Sequence, residues 1–182
     1  MKPKFQRLYM DWALRVAELS HAKRLQVGAV IVKDDTVISY GYNGMPAGWG
    51  NDCETKEWWN PDVEDLHPDE VNSLYPFYGE REVGDYIVNG RYRLVTNPEV
   101  LHAESNAIAK LAKGHNSGVG AEMFITHSPC MDCAKLIYQS GIKRVFFGAQ
   151  YRDNAGIQFL RNSGVEVSHF DAGISVNTNT TK

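Results

Sequence analysis

Two short motifs contain the residues best suited to chemistry in this chain. Cys130 and Cys133 stand three positions apart, directly after Pro129. Proline is favoured at the first position of a helix, so we expect a helix to begin here with both sulfurs on one side. The positive end of the helix dipole favours thiolates, the form of cysteine that binds metal ions. The pair therefore predicts a site for a soft divalent cation such as zinc.

The second motif, His102, Ala103 and Glu104, supplies what the cysteine pair lacks. One imidazole would bring the protein ligands of a tetrahedral zinc to three and leave the fourth position open to water. A carboxylate two positions after the ligand histidine, and not itself a ligand, can move protons for that water. His102, Cys130 and Cys133 are thus the predicted zinc ligands, and Glu104 is the predicted catalytic residue.

Other uses of a Cys-x-x-Cys pair have to be weighed against this one. A structural zinc site usually closes with a fourth cysteine or histidine, but neither Cys53 nor the five remaining histidines repeat a ligand-pair spacing beside the site. Thioredoxin-like chemistry does not require a His-x-Glu motif on a separate helix. In a zinc-stabilised binding module, Glu104 would be only a favourable charge at a helix N-terminus. Both motifs together are the signature of zinc-dependent nucleobase deaminases, which favours a catalytic site.

Length and composition limit the other function classes. A chain of 182 residues with 43% hydrophobic content suits a single domain, residues 1–182. A net charge of -3 with only short basic runs argues against a general polyanion binder, and hence against nucleic acid as a partner. Cys53 has no disulfide partner once two cysteines are assigned to metal, which predicts a reducing, cytoplasmic location. No apolar run has the length of a signal core or a membrane span.

The first forty residues predict a helix followed by a hairpin. In residues 5–19, apolar side chains including Leu8 and Trp12 recur at helical spacing, and we expect them to face the core. Residues 27–32 form a continuous β-branched run, and residues 36–40 predict a second strand after an Asp-Asp turn.

Residues 41–48, Gly-Tyr-Asn-Gly-Met-Pro-Ala-Gly, predict a polar loop after that hairpin. Its glycines permit close backbone approach, and Asn43 offers both a donor and an acceptor. A plain turn would have a similar composition. Beside a zinc motif, we expect Asn43 to contact the ribose or the base of a ligand.

Residues 54–101 have the least readable pattern, and we expect an ordered but irregular inserted region. Within it, Asn89 and Gly90 predict a hairpin turn between two strands in residues 86–95. The acidic cluster at residues 62–69 is expected to face water.

The C-terminal half alternates helices with strands. Helices are predicted over residues 101–113, 131–141 and 154–162, and strands over residues 121–126, 144–148 and 165–170. This alternation predicts an α/β fold, in which a mixed five-stranded sheet has helices on its faces. The metal ligands would meet at one edge of that sheet, where ligand sites of α/β proteins usually lie. Residues 171–182 predict a flexible tail.

Four stretches of the chain resemble one protein family. They are QVGAVIV at residues 26–32, GYNGMPAG at 41–48, HAESNAI at 102–108, and the segment from 128 to 143. The zinc motif would fit any member of the cytidine deaminase superfamily, whereas the loop and the Asn-Ala-Ile after Glu104 resemble the deoxycytidylate deaminases. The resemblance implies the three-layer α/β/α cytidine-deaminase-like fold. It also implies conversion of dCMP and water to dUMP and ammonia, which feeds thymidylate synthesis.

The resemblance further implies partners and site residues. Members of the family are commonly homo-hexamers, activated by dCTP and inhibited by dTTP with magnesium. By position, the effector residues would be Arg24, Gln26 and Gly44. The substrate contacts would be Asn43 at the deoxyribose, Ala103, a carbonyl near Ser128 at the exocyclic amine, and Tyr151 and Arg152 at the base edge and the phosphate.

The sequence departs from the family pattern in two places. Many relatives hold a second, structural zinc with a cysteine before residue 27. Here Cys53 remains but residues 20–23 contain no cysteine, although His21 or His67 could substitute. The inserted region could also reshape the mouth of the pocket.

Three alternative activities remain to be compared with dCMP deamination. The enzyme could deaminate dCTP as well, since both nucleotides present the same base and sugar. A nucleic-acid deaminase would need a basic track with stacking aromatic residues, which the net charge disfavours. A guanine or riboflavin-precursor deaminase would share the zinc motif, but we would not expect it to carry the loop at residues 41–48.

Overall fold

The structure, a computed structural model, describes residues 1–151 and 153–170. Its helices are α1 (Pro3–Ala17), α2 (Pro68–Leu74), α3 (Ala103–Ala112), α4 (Met131–Gln139) and α5 (Ala155–Asn162). Its strands are β1 (Gly28–Lys33), β2 (Thr36–Tyr42), β3 (Glu54–Trp58), β4 (Phe77–Val83), β5 (Tyr86–Thr96), β6 (Glu122–His127), β7 (Arg144–Ala149) and β8 (Glu166–His169). No helix in the described residues has the length and apolar character needed to cross a membrane. The predicted tail, residues 171–182, lies outside the described residues.

The central sheet has the strand order β2-β1-β6-β7-β8. Strand β1 runs antiparallel to β2 and β6, whereas β6, β7 and β8 are parallel. Successive strand residues point to opposite faces, so Ala29 and Ile31 pack with α3, α4 and α5, and Val30 and Val32 pack with α1. The predicted mixed five-stranded sheet with helices on both faces, in three α/β/α layers, is confirmed.

Helix α1 covers the sheet with a different face from the predicted one. Leu8 and Trp12 are 44% and 48% exposed. The buried residues of this helix are Tyr9, Met10, Ala13 and Ala17. Ala13 and Ala17 face the sheet where the helix backbone approaches β1 closely: a Cβ at Gly28 would lie 2.1 Å from the carbonyl oxygen of Ala13. When a helix has two apolar faces, the spacing of its apolar residues does not show which face is buried.

The inserted region forms a second sheet, with the strand order β3-β5-β4, and the short helix α2. The predicted irregular excursion is therefore wrong for β3, α2, β4 and β5, whereas residues 59–67 contain no helix or strand. Strand β5 runs straight through Asn89 and Gly90, so the predicted hairpin turn at these residues is also wrong. The chain instead turns at Gly84, whose φ is +60°. Gly90 leaves room for the indole ring of Trp58, which would lie 3.5 Å from a Cβ at this position.

Candidate active site

Three metal-binding side chains meet where two helices begin. His102 is the N-cap of α3, Cys130 is the N-cap of α4, and Cys133 follows in the first turn of α4. The Nδ1 atom of His102 lies 3.6 Å from Sγ of Cys130 and 3.4 Å from Sγ of Cys133. All three donor atoms lie within 4.8 Å of one another. Pro129 precedes the N-cap, so its predicted place at the first helical position is wrong by two residues.

The spacing and the chemistry of these donors fit a tetrahedral zinc ion. With Zn–S bonds of about 2.3 Å and Zn–N bonds of about 2.0–2.1 Å, tetrahedral angles place a sulfur and a nitrogen about 3.5 Å apart. A hydrogen bond from Cys133 lowers the pKa of Cys130 to about 4, and the same bond raises the pKa of Cys133. Cys130 is thus a ready thiolate, and a cation in the site would take the place of the proton that the two sulfurs share.

The loop that carries the cysteines is held by its neighbours on two sides. The N–H of Ser128 donates to the carbonyl of Ala149 at 2.8 Å, which continues the pairing of β6 with β7. Helix α5 packs against the other side through Gly156, where a Cβ would lie 2.1 Å from the carbonyl oxygen of Pro129. Helix α5 therefore fixes the backbone from which Cys130 projects.

We expect Gly156→Ala to destabilise the protein by about 1–3 kcal/mol, because the added methyl group has to displace the cysteine loop. The affinity for zinc should decrease together with the free energy of unfolding. Urea unfolding and a zinc titration measure the two effects. Gly50→Ala is the matched control, since a Cβ there meets nothing within 4 Å. An unchanged zinc affinity in Gly156→Ala would contradict the role given to α5.

The start of α3 is held by the end of β2 and the polar loop. At Gly41, a Cβ would lie 2.2 Å from the carbonyl oxygen of Ala103, so the strand and the helix are in backbone contact. Gly44 and Leu101 exchange two backbone hydrogen bonds, at 3.1 and 2.9 Å. These contacts fix the residue that follows, His102, and give the polar loop a structural role that its sequence pattern does not reveal.

Glu104 lies in the first turn of α3 and is only 4% exposed. Burial raises the pKa of its carboxyl group to about 7. A carboxyl group with this pKa can both accept and donate a proton near neutrality. Glu104 lines the same cavity as His102 and Cys130, which places it beside the ligand cluster.

A cavity of about 340 Å³ borders this cluster. Its walls are formed by Arg24, Leu25, Val27, Asn43, Glu54, Thr96, Val100, His102, Ala103, Glu104, His127, Ser128, Cys130 and Tyr151. The residues predicted to contact substrate therefore line the same cavity, except Arg152, which lies outside the described residues. Within this set, Ser128 accepts the backbone N–H of Tyr151 through its Oγ atom at 2.8 Å.

Asn43 makes hydrogen bonds to the protein's own backbone. Its Oδ1 accepts the N–H of Val27 at 2.8 Å, and its Nδ2 donates to the carbonyl of Leu25 at 2.8 Å. Asn43 therefore joins the polar loop to the segment that enters β1. An amide NH₂ group has two hydrogens, so one donor of Asn43 is left over for a ligand in the cavity.

We expect Asn43→Ala to lower the free energy of unfolding by about 1–3 kcal/mol, because the N–H of Val27 loses its acceptor in a partly buried place. Urea unfolding measures the change. Asn116→Ala is the control, since this side chain makes only an exposed contact of 3.5 Å, and its effect should stay within about 0.5 kcal/mol. Equal effects in the two variants would show that the Asn43 hydrogen bonds do not stabilise the loop.

The three residues predicted for an effector occupy different places. Arg24 borders the cavity, where its guanidinium donates to Oγ1 of Thr96 at 2.9 Å and its backbone N–H donates to Glu54 at 3.1 Å. Gln26 donates its side-chain amide to a backbone carbonyl at 2.6 Å. Gly44 lies in the bridge between the polar loop and the start of α3.

Three polar residues of the cavity are not predicted by the sequence pattern: Glu54, Thr96 and His127. Glu54 and Thr96 are paired partners on β3 and β5, at opposite ends of the inserted region. Their approach depends on long-range pairing that no local motif indicates. His127 directly precedes Ser128, and its place in a strand that ends at the cysteine motif is the one signal that could have found it.

Cys53 lies apart from the metal-binding cluster. It is 2% exposed and packs in an apolar cluster with Ala22, Val100 and Met45. Burial raises the pKa of this thiol. Among residues 1–151 and 153–170, no second group of histidine, cysteine and carboxylate side chains has metal-ligand spacing. Cys53 thus has the surroundings of a core residue.

The sequence matches the model of one protein family over most of its length. Residues 3–149 match the cytidine and deoxycytidylate deaminase zinc-binding region. The match therefore spans the polar loop, both zinc motifs and all strands of the central sheet except β8.

Individual relatives resemble the chain over similar lengths. The deoxycytidylate deaminase of Enterobacteria phage T4 is 34% identical over 169 residues, which is 85% of this chain and 84% of that protein. The deoxycytidylate deaminase of Homo sapiens is 31% identical over 155 residues, 80% of this chain and 70% of that protein. The crystal structure of dCMP deaminase from the cyanophage S-TIM5, in complex with dCMP and dUMP, has a TM-score of 0.70. It is 37% identical and covers 93% of this chain and 99% of its own.

Proposed function

The chain belongs to the cytidine and deoxycytidylate deaminase family, and we propose that it is a zinc-dependent dCMP deaminase. It would be a hydrolase that converts dCMP and water to dUMP and ammonia by breaking the C4–N bond of the base. The observation that carries the proposal is the cluster of His102, Cys130 and Cys133 with Glu104 buried beside it, on the wall of one cavity. The relatives that support dCMP as substrate are 31–37% identical over four-fifths or more of the chain.

His102, Cys130 and Cys133 would hold the zinc ion, because their donor types and spacing fit tetrahedral coordination. When bound, zinc lowers the pKa of a water molecule from about 15.7 towards about 7, so that a strong nucleophile is present at neutral pH.

Glu104 would carry the protons of the reaction. It accepts a proton from the attacking water and delivers it to N3 of the cytosine ring, which makes C4 electrophilic. The same carboxyl group then takes the proton of the new C4 hydroxyl group and gives it to the amine, so that the C4–N bond breaks and C4 keeps a carbonyl oxygen. Burial raises the pKa of this carboxyl group above its usual range, which favours its taking up the proton from water. The burial of Glu104 keeps bulk water from exchanging these protons.

The remaining cavity residues would position the nucleotide. Asn43 would use its spare amide hydrogen at the deoxyribose, and backbone groups of Ala103 and Ser128 would contact the base and its amino group. Tyr151 and Arg152 would serve the base edge and the phosphate. Deamination of dCTP by the same site is the second candidate, because base and sugar are unchanged. The net charge of -3 supports a free nucleotide over a nucleic acid.

Regulation and assembly belong to the same proposal. The family resemblance supports activation by dCTP and inhibition by dTTP, with magnesium bound to the effector nucleotide and Arg24, Gln26 and Gly44 at the effector site.

The family resemblance also supports a homo-hexamer, for which the exposed Leu8 and Trp12 of α1 offer apolar contact surface. The product would supply dUMP for dTTP synthesis. The three cysteines form no disulfide bond with one another, which supports the reducing cytoplasm as its location.

The test is a steady-state absorbance assay for loss of the cytosine amino group. The substrates are dCMP, dCTP, deoxycytidine and a cytosine-containing single strand, each with and without added dCTP or dTTP plus magnesium. We expect turnover of dCMP that rises with dCTP and falls with dTTP. Turnover of the strand alone would move the protein to nucleic-acid deamination. No turnover of any substrate by zinc-loaded protein would favour a zinc-stabilised binding module.

A further inference from the structure

Side chains of α3 occupy the outer edge of β2. This strand is the first in the order β2-β1-β6-β7-β8, so its outer edge has no neighbouring strand in the part of the chain that the structure describes. Nδ2 of Asn106 donates to the carbonyl of Tyr42 at 2.8 Å, and Nζ of Lys110 donates to the carbonyl of Tyr40 at 2.9 Å. The donors are one helical turn apart, about 6 Å, and the carbonyls are two strand residues apart, about 7 Å. The helix and the edge strand are therefore in register.

Asn106 makes the contact of this kind that is nearest to the metal-binding cluster. Its backbone N–H donates to the carbonyl of His102 at 3.0 Å, which closes the first turn of α3. A helix turns by about 100° per residue, so Asn106 lies about 200° around the axis from Glu104. Glu104 lines the cavity, whereas the amide of Asn106 faces β2. The hydrogen bond to Tyr42 therefore holds the first turn from the side opposite to Glu104.

A small rotation of this turn would be enough to affect proton transfer. The end of a helical side chain lies about 5–6 Å from the axis, so a rotation of about 10° displaces it by about 1 Å. Such a displacement of Glu104 can cost about 10²-fold in rate. Gly41 permits close approach of α3 and β2 but makes no directional side-chain bond. The hydroxyl of Ser39 donates to the carbonyl of Ala107 at 2.7 Å, which lies beyond the first turn. Asn106 is thus the side chain that fixes the rotation where Glu104 projects.

The same hydrogen bond joins α3 to the polar loop. Tyr42 directly precedes Asn43, the residue proposed to contact the deoxyribose. The side chain of Asn43 is itself hydrogen-bonded to the backbone of Val27 and Leu25. A nucleotide held by this loop has to meet the carboxyl group carried by α3. The bond between Asn106 and Tyr42 therefore sets how these two parts of the site lie relative to each other.

We propose that Asn106 is a positioning residue for deamination: its hydrogen bond to the carbonyl of Tyr42 sets the rotation of the first turn of α3, and so places the carboxyl group of Glu104 against the nucleotide. Asn106 does not line the cavity and acts through Glu104. This inference rests on the proposed function, since it takes Glu104 as the proton carrier. It gives a task to the asparagine of the Asn-Ala-Ile stretch at residues 106–108.

The first test is Asn106→Leu, which removes the amide, keeps a side chain of similar size and adds no charge near Glu104. We expect kcat for dCMP to fall by about 10–100-fold, because the carboxyl group is misplaced. KM should change by less than about threefold, since Asn43 keeps its hydrogen bonds to Val27 and Leu25. Bound zinc should stay at the wild-type level.

Lys110→Met is the matched control, because Lys110 makes the same kind of bond to β2 one helical turn further from the cluster. Methionine keeps the length of the side chain and can still contact the ring of Tyr40, over which Nζ lies at 4.2 Å. The thermal unfolding midpoint should fall in both variants, whereas kcat of Lys110→Met should stay within about twofold of the wild-type value. An unchanged kcat in Asn106→Leu, or an equal loss of kcat in both variants, would overturn the proposal.

Crystal structures of the two variants test the positioning without turnover. We expect the carboxyl group of Glu104 to shift by about 1 Å relative to the polar loop in Asn106→Leu, and to stay in place in Lys110→Met. An unmoved carboxyl group in Asn106→Leu would contradict the positioning role. If the wild-type protein does not deaminate dCMP, the proposed function fails, while these two crystal structures still decide the role of Asn106.

Discussion

Replacing Glu104 with glutamine should leave zinc binding intact and lower the turnover of dCMP by at least about 10²–10⁴-fold. Glutamine has nearly the same shape as glutamate, so the first turn of α3 and the position of His102 are kept. It cannot take a proton from water or return one to N3 and the leaving amine. Because Glu104 is 4% exposed, bulk buffer is poorly placed to replace it. Turnover and bound zinc should be measured on the same preparation.

The matched control for this variant is Glu99→Gln, which makes the same chemical change at an exposed position just before α3. It should turn over dCMP at the wild-type rate. Turnover by Glu104→Gln close to that of Glu99→Gln, with one zinc ion bound, would remove Glu104 from the proton-transfer role. Loss of zinc from Glu104→Gln would instead show that the carboxylate is needed to hold the ligands.

Cys130→Ala should lose both zinc and activity while the protein stays folded. The substitution removes a thiolate whose pKa is about 4 and leaves two ligands, too few for tight binding. The two apolar layers on either side of the central sheet do not depend on the metal, so far-ultraviolet circular dichroism should be unchanged. Zinc content after dialysis should fall from one ion per chain to near zero.

Cys53→Ala is the control for Cys130→Ala, since Cys53 is a buried thiol outside the cluster. It should keep its zinc and its turnover. Stoichiometric zinc in Cys130→Ala with unchanged affinity would contradict the ligand assignment. Unfolding of Cys130→Ala, or of the wild-type protein on chelation, would show that the metal is structural, as in a zinc-stabilised binding module.

The zinc motifs and the central sheet could be predicted because both depend on local pattern. His102, Cys130 and Cys133 follow from ligand type and spacing, and the strands of the central sheet follow from β-branched runs between turns. The direction in which α1 faces could not be predicted in this way. Its burial of Ala13 instead of Trp12 depends on the backbone contact with Gly28, which is known only when the two elements are packed.

The inserted region shows the same limit more strongly. The Asn89–Gly90 pair has the composition of a tight turn, but Gly90 accommodates the ring of Trp58 on a neighbouring strand. The pairing of Glu54 with Thr96 brings both ends of the region to the cavity. Such contacts depend on partners far away in the sequence. Asn43 is a related case, because its position could be predicted but its hydrogen bonds to the backbone could not.

The most direct test of zinc-dependent deamination is the ammonia released from dCMP by protein that has been stripped of metal and then reloaded. We expect no release after chelation and full recovery with one equivalent of zinc per chain. Recovered protein should release one ammonia for each dUMP formed. Turnover that survives complete removal of zinc, or zinc-loaded protein that releases no ammonia from dCMP, would contradict zinc-dependent deamination of dCMP.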